Sequence, residues 1–271
     1  MKMPAKIAAV IVMTAILMVW MAAYPLAKLL PNEAFNDPFE PVYNGLNVLF
    51  TALAFGGVII TLFFQADEAR IARREAVERS IFEMFQTFTS LEFQSVKNSA
   101  YLVLLTAVKD KTYAEFLASR LFVVEQQGFP NSCALLIRSL DNKKQNLDDE
   151  ALVDADRNDR LMLDNMINFF AMLAQRESSG IVIKHCDFAY DWWRPVLWIV
   201  AQLQLQQYEA SETIRKYCKN TLLSVTLKTL DDAYGYAPLT IADDVWQYIN
   251  DHPKLRDFGL DPKYKTTMTA I

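Results

Sequence analysis

The hydrophobic pattern of the chain is dominated by two uncharged segments near its beginning. The first covers about residues 7–27 and the second about residues 46–64. At about 1.5 Å of rise per residue, a helix of roughly 20 residues is long enough to cross a hydrocarbon core of about 30 Å. The pattern therefore predicts a transmembrane hairpin of two helices over residues 1–66. The first segment is longer than the apolar region of a cleavable signal peptide, so we expect it to be retained.

Charged residues around the two segments predict their orientation. Lys2 and Lys6 precede the first segment and four arginines follow the second, whereas the loop between the segments is acidic. Lysine and arginine are enriched on the cytoplasmic side of membrane proteins. We therefore expect both termini to lie in the cytoplasm and the loop to lie outside.

Beyond the second segment the pattern predicts a cytoplasmic α-helical domain over residues 67–271, and the fold class is all-α. A helix is expected to continue from the second span, because no proline or glycine occurs before Gly128. Its apolar positions recur at spacings of four and three. They are Val77, Ile81, Met84, Phe88 and Leu91, with Phe82 and Phe85 at their edge. This face is either an oligomer stalk or the core face of the domain.

Further helices are predicted from apolar spacing, and no alternating run indicates a strand. They cover Ser95–Val108, Thr112–Gln127, Asn131–Leu140, about 158–178, about 184–208, 211–230 and 241–251. Residues 141–160 are polar and mostly acidic, so they are expected to form a solvated linker. The predicted core includes Phe169, Phe170, Trp193 and Leu197.

The second apolar segment carries polar and small residues on one helical face. They include Asn47, Thr51, Ala54, Val58, Thr61 and Gln65. Small and weakly polar residues allow membrane helices to pack closely, which favours an interface between the spans. Intramembrane polar residues also mark water-accessible paths. The face is therefore interpreted either as a span interface or as a pore lining.

The net charge of −5 excludes a basic surface over the whole chain, although a local basic patch remains. Arg215, Lys216 and Lys219 lie on nearly one helix face. They form either a solvated face or an anion-binding patch for a nucleotide, a nucleic acid or lipid headgroups. An aromatic group has two interpretations as well, as core residues or as a base-stacking platform. Its members are Tyr190, Trp192, Trp193 and Trp198.

Motifs that would indicate an enzyme are missing from the sequence. The chain has two histidines and seven glycines, and none of the glycine-rich nucleotide-binding or nucleophile motifs occurs. His185 lies near Asp187 and Asp191, but no second ligand cluster accompanies them. We therefore predict no enzymatic activity, no cofactor, no metal site and no small-molecule substrate.

Two stretches resemble known groups of bacterial membrane proteins. Residues 160–200 contain Asn168-Phe169-Phe170, Gly180 and Trp192-Trp193-Arg194-Pro195. This arrangement resembles a family of two-span membrane proteins with a helical cytoplasmic domain, although Ala171 stands where that family usually has an acid. Residues 45–76 are similar to phage abortive-infection (AbiC-type) membrane proteins.

The resemblance implies a bacterial inner-membrane effector of antiphage defence, of the abortive-infection or retron type. Such an effector is expected to disrupt the membrane barrier when it is triggered. Its expected partners are membrane lipid and either further copies of itself or another defence component, with a nucleic acid or ribonucleoprotein as a further partner. The alternative is a non-toxic membrane-anchored receptor or scaffold whose helical domain recruits a partner.

Overall fold

A computed structural model describes residues 10–11, 13–18, 21–22, 39–176, 188–218 and 222–269. Within these ranges every regular element is an α-helix or a 3₁₀-helix, and none is a strand. The all-α class is therefore confirmed. The chain divides into two compact units, Met1–Glu78 and Arg79–Ile271.

The longest helix, α1, covers Phe39–Thr89 and has 51 residues. At 1.5 Å per residue it is about 75 Å long, more than twice the thickness of a hydrocarbon core. It contains the predicted second span and continues beyond it, as the sequence predicts. In the described part of the chain, one helical segment, Asn47–Thr89, includes a stretch that is long and apolar enough to cross a membrane.

The predicted first span lies largely outside the described residues. Of that span, residues 10–11, 13–18 and 21–22 are described, and they are helical. The loop at residues 31–38 is not among the described residues either. The two-helix hairpin therefore stays a prediction.

In the unit Arg79–Ile271, the described part of the chain consists mainly of short and medium helices. Its helices after α1 are α2 Leu91–Lys109, α3 Lys111–Arg120, α4 Ala134–Leu140, α5 Asp149–Arg176, α6 Tyr190–Ala210, α7 Glu212–Tyr217, α8 Leu223–Tyr234, α9 Ala242–Asp251 and α10 Pro253–Asp257. Short 3₁₀ segments occur at Asn131–Cys133, Asn142–Lys144 and Pro262–Thr269. Helix α2 packs mainly against α5, and α6 packs against α3, α8 and α9.

Serine and aspartate caps set two helix boundaries where no proline or glycine is present. Ser90 Oγ accepts a hydrogen bond from the Phe93 amide at 3.1 Å, and this cap begins α2. Asp110 Oδ1 accepts from the amides of Thr112 and Tyr113 at 2.8 and 3.1 Å, and this cap begins α3. Side-chain oxygens at these positions satisfy amides that have no partner within the helix.

The four predicted core residues are buried, which confirms that part of the sequence analysis. Phe169, Phe170, Trp193 and Leu197 are each at most 4% exposed. Phe169 belongs to an aromatic cluster with Phe88, Phe93 and Phe188, in which ring centroids lie 5.1–5.6 Å apart. Aromatic pairs at such distances stabilise a core beyond the burial of their area.

The apolar face after the second span belongs to the domain core over its last two turns. Met84 and Phe88 are 8% and 7% exposed. Phe82 and Phe85, at the edge of the predicted face, are 59% and 43% exposed and so lie outside this core. Leu91 is 89% exposed, since the break at Ser90 changes the direction of the chain and removes Leu91 from the phase of α1.

The prediction of a solvated linker over residues 141–160 is wrong. Helix α5 begins at Asp149, and Asp156 in its second turn is 2% exposed. The Tyr113 hydroxyl donates to Asp156 Oδ1 at 2.5 Å, and Arg160 Nε donates to Oδ2 at 2.7 Å. These partners satisfy the buried carboxylate, so a segment with an acidic composition packs inside the fold.

Three other predicted helices have different limits in the structure. The helix expected at Thr112–Gln127 ends at Arg120. The helix expected at about 184–208 begins at Tyr190, and the residues before 188 lie outside the described ranges. The helix expected at 211–230 is two helices, α7 and α8. Ser211 Oγ caps α7 by accepting from the Ile214 amide at 3.1 Å.

Candidate functional site

The four polar residues singled out in the second span lie on one exposed face of α1. At 3.6 residues per turn, Asn47, Thr51, Thr61 and Gln65 all fall within about 40° of the middle of that face. All four side chains are exposed. We call them the polar face of α1.

The opposite side of α1 is the covered one. Gly56 is buried and lies about 180° from Asn47 around the helix. Leu49, Leu53 and Ile60 flank it and are half-buried. The side that the chain itself covers is therefore apolar and contains a glycine, whereas the polar face stays open.

Both threonine hydroxyls of the polar face bond within their own helix. Thr51 Oγ1 donates to the Asn47 carbonyl at 2.8 Å, and Thr61 Oγ1 donates to the Gly57 carbonyl at 2.8 Å. A hydroxyl that is satisfied in this way costs little in contact with lipid, because no donor is left without an acceptor. The oxygens can still accept further hydrogen bonds from water or from another helix.

Two of the three residues of the predicted basic patch, Arg215 and Lys216, lie within the described part of the chain. The Arg215 guanidinium donates to the carbonyls of Tyr208 and Glu209 at the end of α6, where a positive charge is favourable. Lys216 Nζ lies 5.2 Å from the centroid of the Tyr217 ring, which is exposed. Lys219 lies outside the described residues. In the structure Arg215 is thus engaged as a helix cap.

A buried charge network beside α6 is the feature that the sequence analysis missed. Asp231 on α8 is 2% exposed and accepts two hydrogen bonds from Arg194, at 2.7 and 2.9 Å. It also accepts from the Tyr190 hydroxyl at 2.7 Å and from Trp198 Nε1 at 3.2 Å. Burial, followed by the charge of Asp231, raises the pKa of Tyr190, so this tyrosine stays a donor.

The Arg194 guanidinium is further enclosed by two aromatic rings. Its Cζ lies 4.5 Å from the ring centroids of both Tyr236 and Tyr248. Every charge in this network has a partner, and its residues are enclosed between α6, α8 and α9. The arrangement fixes the first turns of α6, on which Trp192 and Trp193 lie.

Among the described residues, no group of three or more His, Cys, Asp or Glu side chains could hold a metal ion. Cys133 is buried, and its Sγ donates to Asp110 Oδ2 at 3.2 Å. Burial and this carboxylate raise the pKa of Cys133 to about 12. His185 and Asp187 lie outside the described residues, so the predicted absence of a metal there is untested.

No known protein family, characterised protein or solved structure matches the chain.

Proposed function

We propose that this protein is a bacterial inner-membrane effector that disrupts the membrane barrier when it is triggered. In this proposal both termini lie in the cytoplasm, and α1 carries the second of two spans. The polar face of α1 associates with other copies of the chain or with a further defence component. The antiphage setting follows from the resemblance given above.

The observation that carries the proposal is the position of the polar face. Asn47, Thr51 and Thr61 point away from the covered side at Gly56, so they are accessible to a second copy. The apolar stretch of α1 also differs from the core helix of a soluble protein, because only 6% of it is buried. Even a narrow wet path is damaging, since each charge that crosses a potential of 100 mV releases about 2.3 kcal/mol.

A second candidate is a non-toxic membrane anchor whose helical domain recruits a partner. The hydroxyl bonds of Thr51 and Thr61 within α1 favour it, because they let the polar face contact lipid without an unpaired donor. The two candidates differ in one observable, the permeability of the membrane after triggering or overexpression.

The test replaces the polar face and measures the uptake of an impermeant dye. We expect the triple variant Asn47→Leu, Thr51→Val, Thr61→Val to insert normally, since a more apolar helix inserts at least as well. Dye uptake per membrane-bound protein should fall at least about tenfold, because an apolar lining resists wetting. Wild-type uptake in this variant would exclude the polar face as the path.

The matched control changes three exposed apolar residues on the flank of the same helix. Val48, Phe55 and Leu62 are 66%, 66% and 59% exposed and are spaced by seven residues. The variant Val48→Leu, Phe55→Leu, Leu62→Val should retain dye uptake. If neither wild type nor control admits the dye at matched protein levels, the anchor is the better interpretation.

A further inference from the structure

An open cleft lies between the middle of α2 and the start of α6, within the unit Arg79–Ile271. It has a volume of about 250 Å³ and is lined by Lys97, Asn98, Tyr101, Trp192 and Trp193. All five residues come from two helices that pack against each other. Ligand pockets usually have about 300–1,000 Å³, so this cleft fits one small group.

The wall of the cleft is an exposed aromatic surface. Trp192 is 36% exposed, whereas its neighbour Trp193 is 4% exposed. The ring of Tyr101 lies 5.4 Å from that of Trp192 and 6.0 Å from that of Phe258, centroid to centroid. Trp192 and Phe258 are 6.5 Å apart. The rings of Tyr101 and Phe258 are inclined to that of Trp192 by 52° and 61°, so they flank the Trp192 ring, which is the surface that a flat ring can stack against.

Two lysines place positive charge near the cleft: Lys97 lines it, and Lys254 contacts the Trp192 ring without being part of the lining. Lys254 Nζ lies 3.6 Å from the Trp192 ring centroid and 5.7 Å from that of Phe258, and it donates to the Trp192 carbonyl. Lys97 Nζ lies 4.1 Å from the Phe88 ring centroid and donates to the Phe88 carbonyl at 2.9 Å. An ammonium carries three hydrogens, so each lysine retains donors for an anion.

The charge balance around Lys254 also favours an anion. Burial lowers the pKa of Lys254 to about 8, while Asp191 opposes that change. Burial lowers the pKa of Lys97 as well. Both ammonium groups are therefore partly withdrawn from water, and a bound phosphate would stabilise their charged form.

We propose that this cleft binds a nucleotide, with the base stacked on Trp192 and the phosphate held by Lys254. Asn98 carries an amide that can both donate to and accept from the edge of a base. Aromatic stacking together with a cation and one amide is the chemistry that proteins use for unpaired bases. The nucleotide is either free or part of a single strand. This site lies in the helical domain, so the proposal stands apart from the pore proposed for α1.

The test measures the binding of radiolabelled adenosine monophosphate to the full chain in detergent micelles by equilibrium dialysis. Trp192→Ala should weaken binding about 5- to 150-fold, which corresponds to the loss of one stacking contact. Trp192→Phe keeps a ring and should retain most of the affinity. Because Trp192 is partly exposed, neither variant is expected to impair folding.

The role of Lys254 is tested by its charge. Lys254→Gln should weaken the binding of adenosine monophosphate at pH 7 and leave that of uncharged adenosine unchanged. For a pKa of about 8, the charged fraction of Lys254 falls about tenfold between pH 7 and pH 9, so wild-type affinity should fall about tenfold. Lys254→Arg stays charged over this range and should remove the pH dependence.

Lys228 provides the charge-matched control, because it is exposed on α8 and does not line the cleft. Lys228→Gln should leave binding unchanged. A ten-residue single-stranded DNA is the second probe. If the wild-type chain retains the DNA but not adenosine monophosphate, and Trp192→Ala no longer retains the DNA, then the base that binds belongs to a single strand. The proposal is overturned if neither probe is retained at about 1 mM, or if Trp192→Ala and Lys254→Gln both bind like wild type.

Discussion

Polar side chains find their hydrogen-bond partners in different ways in the apolar segment of α1, about residues 46–64, and in the unit Arg79–Ile271. In α1 they are exposed, and the hydroxyls of Thr51 and Thr61 bond to carbonyls four residues earlier. In the second unit Asp231 is buried and bonds to Arg194, 37 residues away. Asp156 bonds to Tyr113, 43 residues away. The first pattern forms with the helix alone, whereas the second requires the tertiary fold.

The largest loss in the free energy of unfolding is expected from Asp231→Ala. This change removes the acceptor of Arg194, which is 6% exposed, and leaves the guanidinium charge buried. Breaking a buried ion pair from one side typically costs about 3–5 kcal/mol. Urea unfolding of the full chain, followed by tryptophan fluorescence, measures the loss.

Asp232→Ala is the control for this change, because Asp232 is the adjacent residue and is exposed. Its effect should stay within about 0.5 kcal/mol. Equal losses for the two alanine variants would contradict the buried network. The double variant Arg194→Met with Asp231→Leu should recover much of the stability, since apolar residues often replace a buried ion pair at little cost.

A comparable effect is expected from Trp193→Ala, and a much smaller one from Trp192→Ala. Trp193 is 4% exposed and Trp192 is 36% exposed, although they are neighbours on α6. Truncation of a buried tryptophan costs about 3–5 kcal/mol. Thermal unfolding of both variants under one condition provides the comparison, and equal melting temperatures would rule out this assignment of core and surface.

The smallest effects on the free energy of unfolding are expected when a single hydroxyl group is removed. Tyr113→Phe removes a buried donor of Asp156, so a loss of about 1–3 kcal/mol is expected. Thr61→Val removes a hydroxyl that bonds only within α1, and the free energy of unfolding should change by less than about 0.5 kcal/mol. Chemical denaturation of the two variants in the same detergent gives both values. A larger loss for Thr61→Val would show that the polar face of α1 is engaged in tertiary contacts.

The parts of the fold that follow from local periodicity could be predicted from the sequence. The burial of Phe169, Phe170 and Leu197 follows from apolar spacing along α5 and α6, and so does the long helix after the second span. These features depend on residues three or four positions apart, whose relation a single sequence displays directly.

The charge networks could not be predicted, because their partners are distant in sequence. An acidic run resembles a solvated linker unless the hydroxyl of Tyr113 is known to lie beside Asp156. One local signal was available, since Asp156 and Arg160 are four residues apart and lie on the same helical face. Nothing local relates Asp231 to Arg194. The exposure of Phe82 and Phe85 could not be predicted for another reason, because periodicity predicts a face without showing how wide the packed part is.

The enclosed thiol of Cys133 has a consequence for chemical reactivity. With a pKa of about 12, roughly one thiol in 100,000 is a thiolate at pH 7, and only the thiolate attacks alkylating or oxidising reagents. Cys218 is also buried, at 7% exposure. The thiols of Cys133 and Cys218 are therefore poorly reactive in the folded state, and modification of Cys133 reports opening of the helical domain.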